Sequence, residues 1–232
     1  MQASVSVSKR NVILKWWLKN LLFIVLSGLL LFSAAGKINW VEAWIYLFLI
    51  LAIIIANALC IEPELMIERA QINKGTKKWD LILSIFVAIW GPFLILLIAG
   101  LDNRFNWTQN TALVLQVAGA ILFLLGGLLG TWAMAANRYF SGTVRIQKER
   151  KHIVVSEGPY RFIRHPGYTG GIVSNLMTPI LLGSWIALYP AFLIALAYIM
   201  RTALEDKVLK NELDGYLKYC QQVRYRLFPG IW

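Results

Sequence analysis

The sequence predicts an all-α integral membrane protein of about five to six transmembrane helices, the last two a helical hairpin, with a C-terminal region on the cytoplasmic side. Three observations predict it. The 232-residue chain is 58% hydrophobic and 15% charged, whereas soluble domains run at about 45–50% apolar and 25% charged. The apolar residues are gathered into charge-free blocks. And 21 of the 23 Lys and Arg residues fall in connections that alternate to one side of those blocks, the positive-inside pattern.

The blocks give the helices in order. Leu21–Gly36 is 16 residues long and is extended upstream by Trp16 and Trp17. Lys15 and Lys19 before it and Ser33-Ala34-Ala35 at its end resemble a weak signal peptide. An anchor helix is the simpler reading, because four more blocks follow. Ala43–Ile61, Leu81–Leu101 and Thr111–Asn137 hold 19, 21 and 27 residues without a charge, each enough for a span of about 20 residues. Gly167–Met200 has 34 such residues. As one helix it would run about 51 Å, against a hydrocarbon core of about 30 Å. Pro179, Gly183 and Pro190 offer a break, so a hairpin of roughly Gly170–Leu182 and Trp185–Ala203 is expected. Trp40, Trp44, Trp79, Trp107, Trp132 and Trp185 sit near block ends, as in aromatic belts. The chain divides at about residue 136, with N-terminal helices over 1–136 and a C-terminal region over 137–232.

The net charge of +11 follows from orientation and attraction to anionic lipid, with no nucleic acid needed. Both termini are expected in the cytoplasm. Cys60 and Cys220 make neither a disulfide framework nor a metal cluster, and two histidines exclude a His-rich metal site. There is no Gly-x-Gly-x-x-Gly after a strand and no phosphate-cradling loop.

What remains is concentrated where the basic segment Arg138–Pro166 enters the hairpin. Gly158-Pro159-Tyr160-Arg161-Phe162-Ile163-Arg164-His165-Pro166-Gly167-Tyr168-Thr169-Gly170 reads in two ways. It is a juxtamembrane anchor in which Arg and Tyr snorkel and Pro166 starts a helix. Or it is a small-ligand pocket, with Pro and Gly letting the backbone approach a ligand, His165 hydrogen-bonding and Tyr168 offering a ring face. Arg201 and Glu205, spaced i, i+4, share a helix face. They are either a surface ion pair or charges put to use at the edge of hydrocarbon.

The ordered set Arg164-His165-Pro166-x-Tyr168-x-Gly170, the acidic pair Glu205-Asp206, Leu209-x-x-x-Leu213-x-Gly215-Tyr216-x-x-Tyr219 and Arg226-x-x-Pro229 resembles the isoprenylcysteine carboxyl methyltransferase family. Membrane phospholipid N-methyltransferases are similar too. The likeness covers roughly Asn137–Trp232. It implies an enzyme using S-adenosylmethionine at the cytoplasmic face. By that pattern, Arg164, His165, Pro166, Tyr168 and Gly170 contact the cofactor, and the stretch holding Val155, Gly158 and Tyr160 covers its adenosine. Glu205 helps to hold the cofactor, and Arg201 faces the acceptor. The family usually has two glutamates where this chain has Glu205-Asp206, which leaves the part played by Asp206 open. The implied partners are the bilayer and a lipophilic or prenylated acceptor, either a prenylcysteine carboxylate or a lipid headgroup.

Two other readings stand beside this one. An NADPH-dependent reductase of sterol-reductase type carries a similar Arg-His-x-x-Tyr region. It would use Arg145, Lys148, Arg150 and Lys151 for a 2′-phosphate. A non-enzymatic membrane protein would place polar residues near mid-membrane, for which Asn57, Gln116 and Asn175 are the candidates.

Overall fold

The computed structural model describes residues 2–69, 75–108 and 110–232. Part of the basic connection Glu62–Asp80, at 70–74, and position 109 of Asp102–Asn110 therefore lie outside the described residues. Those described are helical, with no strand among them. Helix α1 is Gln2–Ala35, α2 is Val41–Cys60, and the short α3 is Pro63–Arg69. Helix α4, Lys78–Ile85, runs through one π-turn, Phe86–Trp90, into α5, Gly91–Phe105. Helix α6 is Leu113–Ala136. An irregular segment follows, with 3-10 turns at Lys148–Arg150 and Gly158–Arg161. Helices α7, Pro166–Leu181, α8, Leu188–Glu212, and α9, Tyr216–Gln222, complete the order.

Five stretches are long and apolar enough to cross a membrane: Ile13–Ala35, Val41–Cys60, Lys78–Phe105, Leu113–Ala136 and Leu188–Glu212. Their outer faces remain apolar. Leu113, Val114 and Ile121 on α6 and Phe192, Leu193 and Leu196 on α8 are all exposed, which suits lipid and not water. The inward faces form one core through Leu31, Ile50, Ile95, Leu96, Phe123, Leu181 and Ile194. Two polar side chains inside the bundle show bonding between and within helices. Thr131 donates to Asn57 across α6 and α2 at 2.8 Å, and Asn175 donates to its own helix at Gly171 O, 2.8 Å.

The outer ends of the last two long helices differ from the sequence expectation, with α8 running on to Glu212. Helix α7 begins at Pro166, not Gly170, and Pro179 sits inside it. The chain turns at Gly183, whose φ of 74° is left-handed. Gly183 N–H bonds Ile180 O and Ser184 N–H bonds Pro179 O, a Schellman cap that only a residue free to adopt positive φ closes cheaply. Pro190 falls in the first turn of α8, where no intrahelical N–H is needed.

The α6–α7 contact positions everything that follows. A Cβ on Gly170 would lie 2.4 Å from Gly126 O and 3.0 Å from Gly130 N. The two helices therefore touch backbone to backbone, as small residues allow in membranes. This contact sets the first turn of α7, with His165 and Tyr168, under the end of α6.

Candidate functional site

The site is a cleft, partly open to solvent, between the 137–165 segment, α7, the end of α8 and α9.

Its outer wall has no regular structure, so side chains hold its shape. Gln147, fully buried, donates to Tyr139 O at 2.7 Å. Asn137 accepts from Tyr139 N–H at 2.9 Å and donates to the Tyr160 hydroxyl at 3.3 Å. Arg145 reaches Glu68 on α3 at 2.9 Å and Glu149 at 2.7 Å, which ties the wall to the N-terminal half. His152 stacks on Tyr139 with centroids 4.4 Å apart. Burial, and then the charges of Arg145 and Arg150, hold its imidazole down at about 4 from an ordinary 6.5. Its Nδ1 faces the Gln147 N–H at 3.4 Å, which suits the neutral ring.

A pH dependence follows. Between about pH 4 and 6.5 the folded protein keeps His152 neutral while the unfolded chain binds a proton. The stability it contributes is complete above about 6.5 and is lost as the pH falls toward 4. Melting in detergent should show a loss of about 1–2 kcal/mol between pH 7.5 and pH 5. His152→Gln should flatten that part of the profile, and an unchanged profile would refute the assignment.

The inner wall carries the charges. Asp206, 1% exposed, receives Arg164 Nε at 2.9 Å, Arg226 Nε at 3.0 Å, Lys210 Nζ at 2.9 Å and the Tyr216 hydroxyl at 3.0 Å. His165 Nε2 lies 3.6 Å from the same carboxylate. Arg164 also donates to Val223 O and Arg224 O at 2.8 and 2.7 Å. Its guanidinium is held charged: burial opposes this, but Asp206 outweighs it. Backbone bonds from Arg164 N–H to Tyr225 O and from His165 N–H to Arg226 O complete the join between the motif and the tail.

Glu205, one residue earlier on α8, faces the cleft. It accepts the Tyr168 hydroxyl in a short hydrogen bond. Among the described residues it has no cation within ion-pair distance. Tyr168 is nearly coplanar with His165, 5.7 Å between centroids at 6°.

Of the residues expected to hold a cofactor, Val155, Tyr160, Arg164, His165, Tyr168 and Glu205 line the cleft. The others lie elsewhere, and packing explains each. Gly170 is buried in the α6–α7 contact. Gly158 has φ of 55°, and a Cβ there would lie 2.9 Å from Ala136 Cβ and 3.1 Å from Trp132 Nε1, so it seats the segment on α6. Pro166 is buried at the first turn of α7. Arg201, expected at the acceptor, is bound on both edges. It donates from Nε and Nη2 to the fully buried Asp80 at 2.6 and 3.0 Å, and from Nη2 to Gly142 O at 2.8 Å. Its guanidinium stacks over the Tyr168 ring at 5.1 Å. Arg145, expected for a 2′-phosphate, is already paired with Glu68 and Glu149. Sequence reasoning passed over Tyr139, Phe140 and His152. The one signal for them was a pair of aromatic residues and a histidine inside a basic segment.

Among the described residues no cluster of His, Cys, Asp and Glu is arranged for a metal ion. Residues 119–211 match the sequence model of the isoprenylcysteine carboxyl methyltransferase family. Within the matched residues fall most of α6, the cleft's outer wall, α7 and nearly all of α8. The tail that binds Arg164, and Asp80 and Arg69, lie outside them. Protein-S-isoprenylcysteine O-methyltransferase B of Arabidopsis thaliana is 29% identical over 119 residues, 50% of this chain and 57% of the relative. Its A counterpart is 24% identical over 131 residues, 56% and 63%. The Saccharomyces cerevisiae protein-S-isoprenylcysteine O-methyltransferase is 32% identical over 109 residues, 47% and 43%. The chain thus spans about three fifths of the length of the Arabidopsis relatives it matches.

Proposed function

We propose that the cleft binds S-adenosylmethionine and that the protein methylates a lipophilic acceptor at the cytoplasmic membrane face. The match of residues 119–211 to the methyltransferase family and the relatives' names as O-methyltransferases support the reaction class. The single observation that carries the reading is Glu205, an anion on the cleft wall with no cation in ion-pair range among the described residues, fixed by Tyr168 in a cleft lined by aromatic rings.

The residues fit such a ligand. When bound, S-adenosylmethionine supplies an electrophilic methyl group on a cationic sulfur. Glu205 offers that charge an unneutralised carboxylate, and the Tyr168 hydroxyl keeps the carboxylate in one orientation. Ring faces of Tyr139, Phe140 and Tyr168 favour a cation nearby. Val154, Val155, Leu209 and Leu213 give the cleft an apolar wall suited to an adenine. Asp206 keeps its place in the tail junction, and Asp80 fixes Arg201 beneath Tyr168. With a carboxylate acceptor no base is required. An amine headgroup would need its proton removed, and Glu205 is the group placed for it. Positioning is then the main catalytic work, and holding two reactants in line supplies several kcal/mol. The asymmetry of Lys and Arg supports a cytoplasmic cleft with both termini on the same side.

Calorimetry on the detergent-purified protein tests this. S-adenosylmethionine and its demethylated product should each bind with micromolar affinity, and labelled methyl should pass to a lipid-soluble acceptor. No heat with either ligand would overturn the reading.

A further inference from the structure

Glu205 has one cation within helical reach, and the fold takes that cation away. On α8 the side chains one turn from Glu205 are Arg201 and Thr202 on one side and Val208 and Leu209 on the other. Arg201, four residues earlier, shares its face, the spacing at which opposite charges on a helix pair by default. Tyr168 touches both groups. Its ring centroid lies 5.1 Å from the Arg201 guanidinium carbon, and its hydroxyl donates to Glu205. The two charges thus flank one tyrosine, yet the ion pair that Arg201 makes is with Asp80, Nε to Oδ1 at 2.6 Å. Three further cations, Arg69, Arg138 and Arg150, lie over the Phe140 and Tyr139 rings of the cleft wall, on elements other than α8.

Asp80 is well placed to hold Arg201. It lies in the first turn of α4 and is fully buried. Besides Arg201 Nε and Nη2, its carboxylate accepts the Val144 N–H at 2.6 Å and the Ser84 hydroxyl at 3.2 Å. The chain before it is fastened to the same wall of the cleft. Lys77 N–H donates to Val144 O at 3.1 Å, and the Thr76 and Thr143 hydroxyls are 3.0 Å apart. Arg201 completes the join by donating to Gly142 O at 2.8 Å. The wall and α4 therefore orient the carboxylate that Arg201 meets. An arginine as buried as Arg201, 6% exposed, needs an anion. Without Asp80, the acid one turn along its own helix is Glu205.

We propose that Asp80 is a positioning residue that keeps Glu205 unpaired: by binding Arg201 through two nitrogens, it withholds from Glu205 the cation beside it on the helix. This rests on the reading of Glu205 as the anion for a sulfonium. The consequence is selectivity for charge. A sulfonium gains from a bare carboxylate, whereas a carboxylate already paired with Arg201 offers it little. Asp80 lies outside residues 119–211. A residue of the N-terminal half thus sets the charge of a site whose walls lie largely in the C-terminal half.

The test uses the full chain in detergent and reads two quantities: calorimetric affinity for S-adenosylmethionine against its demethylated product, and melting temperature. Asp80→Asn keeps the size and the acceptor for Val144 N–H but not the charge. It should weaken S-adenosylmethionine about 10- to 30-fold and the neutral product little. Asp80→Asn combined with Arg201→Gln removes the captured cation as well and should restore the wild-type ratio of the two affinities. Mere damage to the packing would deepen with the second change. Melting gives a reading without ligand. Glu205→Gln should leave the Tm of wild type level but lower that of Asp80→Asn by about 5 °C more, because only there does Glu205 carry Arg201. An affinity ratio that ignores Asp80→Asn, a double variant that fails to restore it, or a Glu205→Gln with the same effect in both backgrounds overturns the proposal. So does an Asp80→Asn that does not fold, since Arg201 would then have found no second anion. If the melting difference appears but wild type binds neither ligand, the methyl-transfer reading fails and the hold on Arg201 stands. If Glu205→Gln weakens S-adenosylmethionine while Asp80→Asn changes nothing, the reverse holds.

Discussion

Asp206→Ala should detach the C-terminal tail from the cleft and lower the stability of the protein by about 3–5 kcal/mol. The reason is the number of groups that depend on one carboxylate. Asp206 is 1% exposed and receives Arg164, Arg226, Lys210 and Tyr216. Removing it strands Arg164, itself buried, against backbone carbonyls alone. Leaving a buried cation without its anion costs far more than the pair was worth to begin with. Asp206→Asn keeps the shape but not the charge and should lie close to Ala. Asp206→Glu adds a methylene where the packing leaves little room. Apparent Tm in detergent should fall by about 10 °C for Ala, with S-adenosylmethionine binding lost as His165 and Arg164 shift. A variant that melts within about 2 °C of wild type would show that the network is not what holds the tail. This accounts for an aspartate where the family usually has a second glutamate: the shorter acid sits at the centre of four donors and does not face the cleft.

Glu205→Gln should leave the fold intact and weaken S-adenosylmethionine binding by about 30- to 100-fold, the value of one charge contact at partial exposure. Its demethylated product, whose sulfur is neutral, should weaken much less. The comparison reads charge and not shape, because glutamine preserves the size of Glu205 and can still accept the Tyr168 hydroxyl. Melting temperatures should stay level, since Glu205 is half-buried and is bonded to Tyr168 alone. If both ligands bind the variant as they bind wild type, Glu205 is not at the sulfonium, and the electrostatic argument for the cleft fails. The contrast with Asp206 is the sharper test. Neighbouring acids on one helix should separate, one acting on ligand affinity and the other on stability.

The membrane helices were legible in the sequence because the bilayer imposes length and apolarity over some twenty consecutive residues, a constraint local enough to read without a structure. The motif at 158–170 and the acidic pair after it likewise announced a site, and six of the residues named there line one cleft. What the sequence left open turned on who meets whom across the fold. Gly170 and Gly158 read as ligand-contacting glycines, yet their small size serves helix contact, since a missing Cβ admits a ligand or a neighbouring backbone equally well. Arg201 read as a partner of Glu205 or as facing the acceptor, because its actual counter-ion, Asp80, is 121 residues away on a helix outside the matched region. His152 gave no sign of being half-buried against Tyr139. By itself the sequence determined an all-helical membrane protein, the one-sided placement of its Lys and Arg, and the likeness of its C-terminal half to a methyltransferase family. Only the tertiary structure decided which charges cancel and which remain to meet a ligand, because neutralisation depends on contacts of a few ångströms between segments far apart in the chain.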